Sequence, residues 1–171
     1  MPYTSFHHHF PEIAEKETRT MTILKQDDVI PKGPYGLLEM YCDDPGCDCR
    51  RVFFEVFDWE RRQSLAFIAY GWESAEFYRN WLRGDDPDTI RELQGPILNI
   101  GSPQSEFAPA FLKLVSDVVL KDQAYVARLK RHYRMFKEKV DPKHFRPSGM
   151  AKESITPKSN RRKRHRRPSS R

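Results

Sequence analysis

The stretch YGLLEMYCDDPGCDCRRVFFEVFD, Tyr35 to Asp58, decides the fold. Both ends are strand-length runs of apolar and aromatic residues, and the centre is a polar turn. Asp44-Pro45-Gly46-Cys47 places proline where φ is preset and glycine where a type II turn requires positive φ. Two strands joined this briefly are antiparallel neighbours, because a parallel crossover needs roughly a dozen residues or more.

Working outward, TRTMTILK sets Thr20, Thr22 and Leu24 against Arg19, Met21 and Ile23, the period-two alternation of a strand. SLAFIAY, after the polar WERRQ, reads as another strand. From Ser74 the pattern turns helical. Ser74 caps a short helix carrying Phe77, Tyr78 and Trp81 that ends before Gly84. Phe107, Phe111, Leu114, Val115 and Val118 form a second helical stripe, with Pro109 near its start, and a last helix runs from about Asp122 to Lys139. Strands first and helices after predict an α+β fold: a small antiparallel sheet of about four strands, then three helices packed on one face. The expected divisions are an N-terminal arm over 1–17 with His7, His8 and His9, a domain over 18–140, and a tail over 141–171.

The net charge of +6 is unevenly placed. From Asp141 onward there are eleven Lys and Arg against two acidic residues, so residues 1–140 are slightly acidic. The tail has no Leu, Val, Trp or Tyr to bury and is expected to be disordered alone. Arg161, Arg162, Lys163, Arg164, Arg166 and Arg167 concentrate its charge, a composition that neutralises phosphates with little sequence specificity. RNA or the ribosome is the expected partner. No run of about 18 apolar residues is present, and the opening residues lack the basic-then-apolar order of a secretory signal, so a cytoplasmic protein with no membrane partner is expected.

All three cysteines, Cys42, Cys47 and Cys49, lie within eight residues. An odd number clustered at one turn in a reducing compartment points to metal rather than a disulfide framework. If the chain runs extended from Cys47 into the next strand, Cys47 and Cys49 project to one side while the turn folds them back on Cys42. Zinc is the expected ion. A fourth ligand has to be something other than cysteine, and Tyr125, Leu129, His132, Phe136 and Val140 make an inward stripe on the last helix with His132 at its middle. His132 is the expected fourth ligand, with His144 in reserve. Arg50 and Arg51 are placed to donate hydrogen bonds to the thiolates.

The segments GPYGLLEMYCDDPGCDCRRV and AYGWESAEFYRNW, the Gln104-Ser105 step and RLKRHYRMFK resemble an uncharacterised family of bacterial proteins, over about residues 10–140. Some of its members are associated with a translocase-motor-type cysteine-rich zinc motif at the C-terminus. This chain carries the arginine-rich tail there instead, and the resemblance implies no established activity.

The motifs G-x-S-x-G, GxxxxGK[ST], HExxH and GxGxxG are missing, and no small-molecule substrate is identified. Asp85, Asp86 and Asp88 lack the spacing of a calcium loop. The sequence therefore predicts a non-enzymatic, zinc-stabilised adaptor whose tail contacts nucleic acid. The alternatives are an enzyme using an open three-cysteine site or a reactive thiol, and a protein-protein module using the aromatic residues around Trp72 and Trp81.

Overall fold

The computed structural model describes residues 3–24 and 29–146. In chain order its elements are β1 (Tyr3–Ser5), α1 (Phe6–His9), α2 (Pro11–Glu17), β2 (Arg19–Ile23), β3 (Gly33–Cys42), β4 (Arg51–Asp58), β5 (Gln63–Gly71), α3 (Ala75–Leu82), α4 (Pro87–Gln94), β6 (Ile97–Leu98), α5 (Ala108–Asp117) and α6 (Gln123–Val140), with a 3-10 turn (Val119–Lys121) leading into α6. The fold is α+β with an antiparallel sheet. It has six strands and six helices among the described residues where the sequence predicts about four and three.

β3 is the axis of the sheet. β4 pairs along one edge, from Tyr35 opposite Asp58 to Met40 opposite Phe53. On the other edge β2 and β1 lie end to end, β2 opposite residues 33–37 and β1 opposite residues 40–42. Successive side chains of a strand point to opposite faces. Val52, Phe54 and Val56 of β4 therefore enter the main core, where Leu37, Tyr41 and Ile68 meet Phe111 and Val115 of α5 and Leu129 and Phe136 of α6. Arg51 and Phe53 face the other way. Against that opposite face lie α3 and α4, which build a smaller cluster from Tyr78, Ile90 and Leu93, and Arg51 donates to the Glu92 carbonyl of α4 at 3.1 Å. The helices thus divide between the two faces instead of sharing one.

Residues 3–17, within the expected N-terminal arm, are packed on the domain. Phe6 is 2% exposed and Ala14 5%, and the Phe6 ring stacks on His132 with centroids 4.3 Å apart. Ser74 caps α3 as its sequence predicts, accepting from the Phe77 amide at 3.2 Å. Asp122 caps α6 through the Ala124 and Tyr125 amides and pairs with Arg19 of β2 at 3.2 Å, which fixes the helix against the sheet. The β4–β5 turn is organised by Asp58, 1% exposed, whose Oδ1 accepts from the Glu60 and Arg61 amides at 2.9 Å each. Gln104 seals the free edge of β5: its amide donates to the carbonyls of Phe67 and Asn99 and accepts from the Phe67 amide. No helix among the described residues is long and apolar enough to cross a membrane.

Candidate metal centre

The loop between β3 and β4 begins at Cys42, the last residue of β3 and fully buried. The Cys47 amide donates to the Asp44 carbonyl at 3.2 Å, closing the turn, and Gly46 has φ +70°, a conformation that favours glycine. Beyond Cys47 the chain is not the extended strand that the spacing argument assumed, for Arg50 adopts a left-handed φ of +48° before β4 starts. That conformation disfavours a side-chain-bearing residue by roughly 1–2 kcal/mol. It is held from both sides: the Arg50 amide donates to the Tyr133 hydroxyl at 3.3 Å, and its carbonyl accepts from the Tyr78 hydroxyl at 3.0 Å.

The sulfurs converge nonetheless. The Sγ atoms of Cys42, Cys47 and Cys49 all lie within 4.8 Å of one another. Tetrahedral zinc with sulfur bonds of about 2.3 Å sets its sulfurs roughly 3.8 Å apart, so the three need only a small adjustment to close on an ion. They can hold a metal. Hydrogen bonding with Cys49 acts on both neighbouring thiols. This is the largest influence on Cys47, which falls to about 6 despite its burial, and it moves Cys42 in the same direction. Hydrogen bonding with Cys42 and Cys47, together with burial, pushes the Cys49 thiol up.

His132 does not join them. Its Nδ1 lies 2.7 Å from Glu39 Oε2 and its Nε2 3.1 Å from Glu17 Oε2, so both ring nitrogens are taken by carboxylates. The Tyr41 hydroxyl donates to the same Glu39 oxygen at 2.8 Å. Burial alone raises the Glu17 carboxyl, but the His132 hydrogen bond and the Arg131 charge together hold it below its ordinary value. The fourth-ligand assignment fails because the segment 3–17 is packed and presents Phe6 and Glu17 to the imidazole. Arg50 and Arg51 do not donate to the thiolates either. Arg50 pairs with Asp48 at 2.9 Å and Glu73 at 3.2 Å and lies 4.6 Å from the Phe77 ring centroid, while Arg51 turns to α4. Arg161, Arg162, Lys163, Arg164, Arg166 and Arg167 lie outside the described residues.

The last helix does anchor the loop, through residues that the sequence reading passed over. Tyr133 donates to Asp48 at 3.0 Å. Lys137, wholly buried, donates from Nζ to the carbonyls of Cys42 at 3.0 Å and Asp44 at 3.3 Å. Asp141, at the end of α6, accepts from the Gly46 amide at 2.5 Å and pairs with His144 Nδ1 at 2.8 Å. Their spacing of four is the available signal, one stripe on the helix adjacent to the stripe of His132. Among the described residues Lys137 has no carboxylate within ion-pairing distance, and its charge helps to lower Cys47. A buried cation requires compensation, and around Nζ this comes from the two carbonyls and from the Phe145 ring, whose centroid lies 5.0 Å away. No protein-family model matches this chain, and neither a curated protein nor a solved structure is found to be similar to it.

Proposed function

We propose that this protein is a non-enzymatic adaptor stabilised by a structural zinc ion, with a basic tail that contacts RNA or the ribosome. The observation that carries the metal reading is the meeting of three sulfurs within 4.8 Å beside a buried lysine that no carboxylate among the described residues neutralises. Three thiolates and a dication sum to −1, and Lys137 brings the centre to neutrality. Thiolate donors select zinc over the oxygen-loving cations. Cys42 and Cys49 are buried, which suits ligands better than nucleophiles. The ion would tie the β3–β4 loop to α6 and stiffen the platform from which the tail extends.

The test is metal analysis of protein purified without a polyhistidine tag. About one zinc per chain, lost together with folding on chelation, supports the reading, and metal-free protein of unchanged stability refutes it. The tail is tested by truncation after Arg146, which spares Asp141 and His144. Retention on a polyanion column should fall and its salt dependence should flatten, and unchanged retention removes the nucleic-acid half of the proposal. One observation favours a second reading: Cys47 is partly exposed, with its thiol lowered to about 6, as in reactive thiols. Rapid single-site alkylation of zinc-loaded protein would support that reading over the structural one.

A further inference from the structure

We infer that His144 is the fourth ligand of the cysteine centre and that Asp141 positions it, an inference that rests on the metal reading above. Charge narrows the choice first. With Lys137 balancing a zinc held by three thiolates, an aspartate as fourth ligand leaves a buried net charge of −1, whereas a neutral imidazole leaves none. Of the nearby acids, Asp48 is held by Arg50 and Tyr133 and Asp141 by Gly46 and His144, while Asp43 accepts from the Thr4 hydroxyl at 2.6 Å through Oδ2 and leaves Oδ1 buried without a partner among the described residues, so charge rather than engagement sets it aside.

Among the histidines, His132 has both nitrogens on carboxylates, and His9 lies with its ring against Phe136 at 5.4 Å. His144 is arranged differently. Its Nδ1 lies 2.8 and 3.0 Å from the two oxygens of Asp141, and Nε2 has no hydrogen-bond partner among the described residues. The ring sits over the cysteine turn, with Nε2 3.7 Å from where a Cβ on Gly46 would stand, directly before Cys47. The Asp141 carboxylate is 6% exposed and accepts from the Gly46 amide at 2.5 Å, so one carboxylate sets both the loop and the imidazole. A carboxylate on the remote nitrogen, fixing tautomer and ring direction, is the usual support of a zinc-bound histidine.

The His144 nitrogens are not among the atoms that converge within 4.8 Å, so ligation turns the ring across Gly46 toward the sulfurs. The side chain is 48% exposed, which leaves it free to turn. On binding, the thiol protons leave to solvent, His144 donates its Nε2 lone pair to the ion, and Nδ1–H remains on Asp141.

The test uses the full chain without a tag, loaded with zinc for affinity and with Co2+ for its visible spectrum. Wild-type protein should give the strong bands of a tetrahedral site with three sulfurs and one nitrogen. His144→Ala should weaken zinc binding by more than the roughly 10- to 100-fold that loss of an outer partner causes, and should alter the Co2+ bands. Asp141→Asn should weaken binding within that 10- to 100-fold range while keeping the bands in place. His144→Cys should restore tight binding with bands shifted toward four sulfurs, which separates loss of a ligand from loss of folding. Unchanged affinity and spectrum in His144→Ala, or loss in His144→Ala that His144→Cys does not restore, overturns the inference. Wild-type protein that takes up no metal overturns the metal reading itself, a separate outcome.

Discussion

Replacing Lys137 with methionine keeps an unbranched stem close to that of lysine and removes the ammonium, so it isolates what the buried charge does. Its Nζ is 3.0 Å from the carbonyl of Cys42, itself a proposed ligand. Between a cation and a centre of net charge −1 taken to be about 6 Å apart, with an effective dielectric constant of about 20, the attraction is about 3 kcal/mol. Its loss lowers zinc affinity about 100-fold. The metal-free protein should respond far less. Two carbonyls lose a charged donor, at about 1–3 kcal/mol each, but an ammonium no longer has to be held out of water, and the two effects oppose one another. The expected signature is a large fall in affinity, read by competition against a zinc chelator, with a small change in the urea midpoint of the metal-free chain. The Cys47 thiol, at about 6 when Lys137 helps to lower it, should also ionise at higher pH in the variant, visible as thiolate absorbance. Zinc affinity in Lys137→Met within about threefold of wild type would refute the counter-charge argument.

Three other outcomes follow from the packing. His132→Ala removes the partner of a buried carboxylate and should destabilise the fold by about 3–5 kcal/mol in denaturant titrations, yet the folded fraction should keep its zinc. Loss of zinc from protein that still folds would return His132 to the ligand set. Phe6→Ala should destabilise by about 3–5 kcal/mol, because the ring is 2% exposed between Phe10 and His132, and a change below about 1 kcal/mol would mean that the segment 3–17 is loosely held. For Asp58, burial raises the carboxyl, but hydrogen bonds from the Arg61 and Glu60 amides and the Arg61 side chain together hold it below its ordinary value. Its stabilisation is therefore present above the ordinary carboxylate range and is lost as pH falls through the depressed folded value. Asp58→Asn should lose less stability than wild type on acidification, and parallel pH profiles would contradict this.

The fold class is legible because the period changes once, from two over the strands to 3.6 in the helices, and each switch carries a local marker such as Ser74 or Asp122. Less legible is what depends on distant partners. β1 is three residues long and β6 two, too short for any alternation to show, and each exists only because β3 or β5 presents an unpaired edge. The helices α3 and α4 carry apolar residues that suit either face of the sheet. On the far face they are held by distant partners, among them Arg51, which donates to the Glu92 carbonyl 41 residues on, and Tyr78, which donates to the Arg50 carbonyl.

The cysteine site divides along the same line. The turn coded within Asp44 to Cys47 is local and legible, whereas the left-handed Arg50 that follows Cys49 depends on Tyr133 and Tyr78 and is not. Nor is the site's fastening to α6, because a helix offers several faces and the apolar stripe is the obvious one. His132 and Tyr133 are adjacent in sequence but about 100° apart around the axis. The first points to the segment 3–17 and the second to the cysteine loop. The residues that reach the loop, Tyr133, Lys137 and Asp141, are amphipathic or charged and read in a sequence as a solvated surface. Lys137 shows why that reading fails: the lysine is wholly buried, and its ammonium fastens the cysteine loop through the carbonyls of Cys42 and Asp44. A charged residue one helical turn from an apolar stripe, opposite a cluster of thiols, is therefore better read as part of the site than as part of the surface.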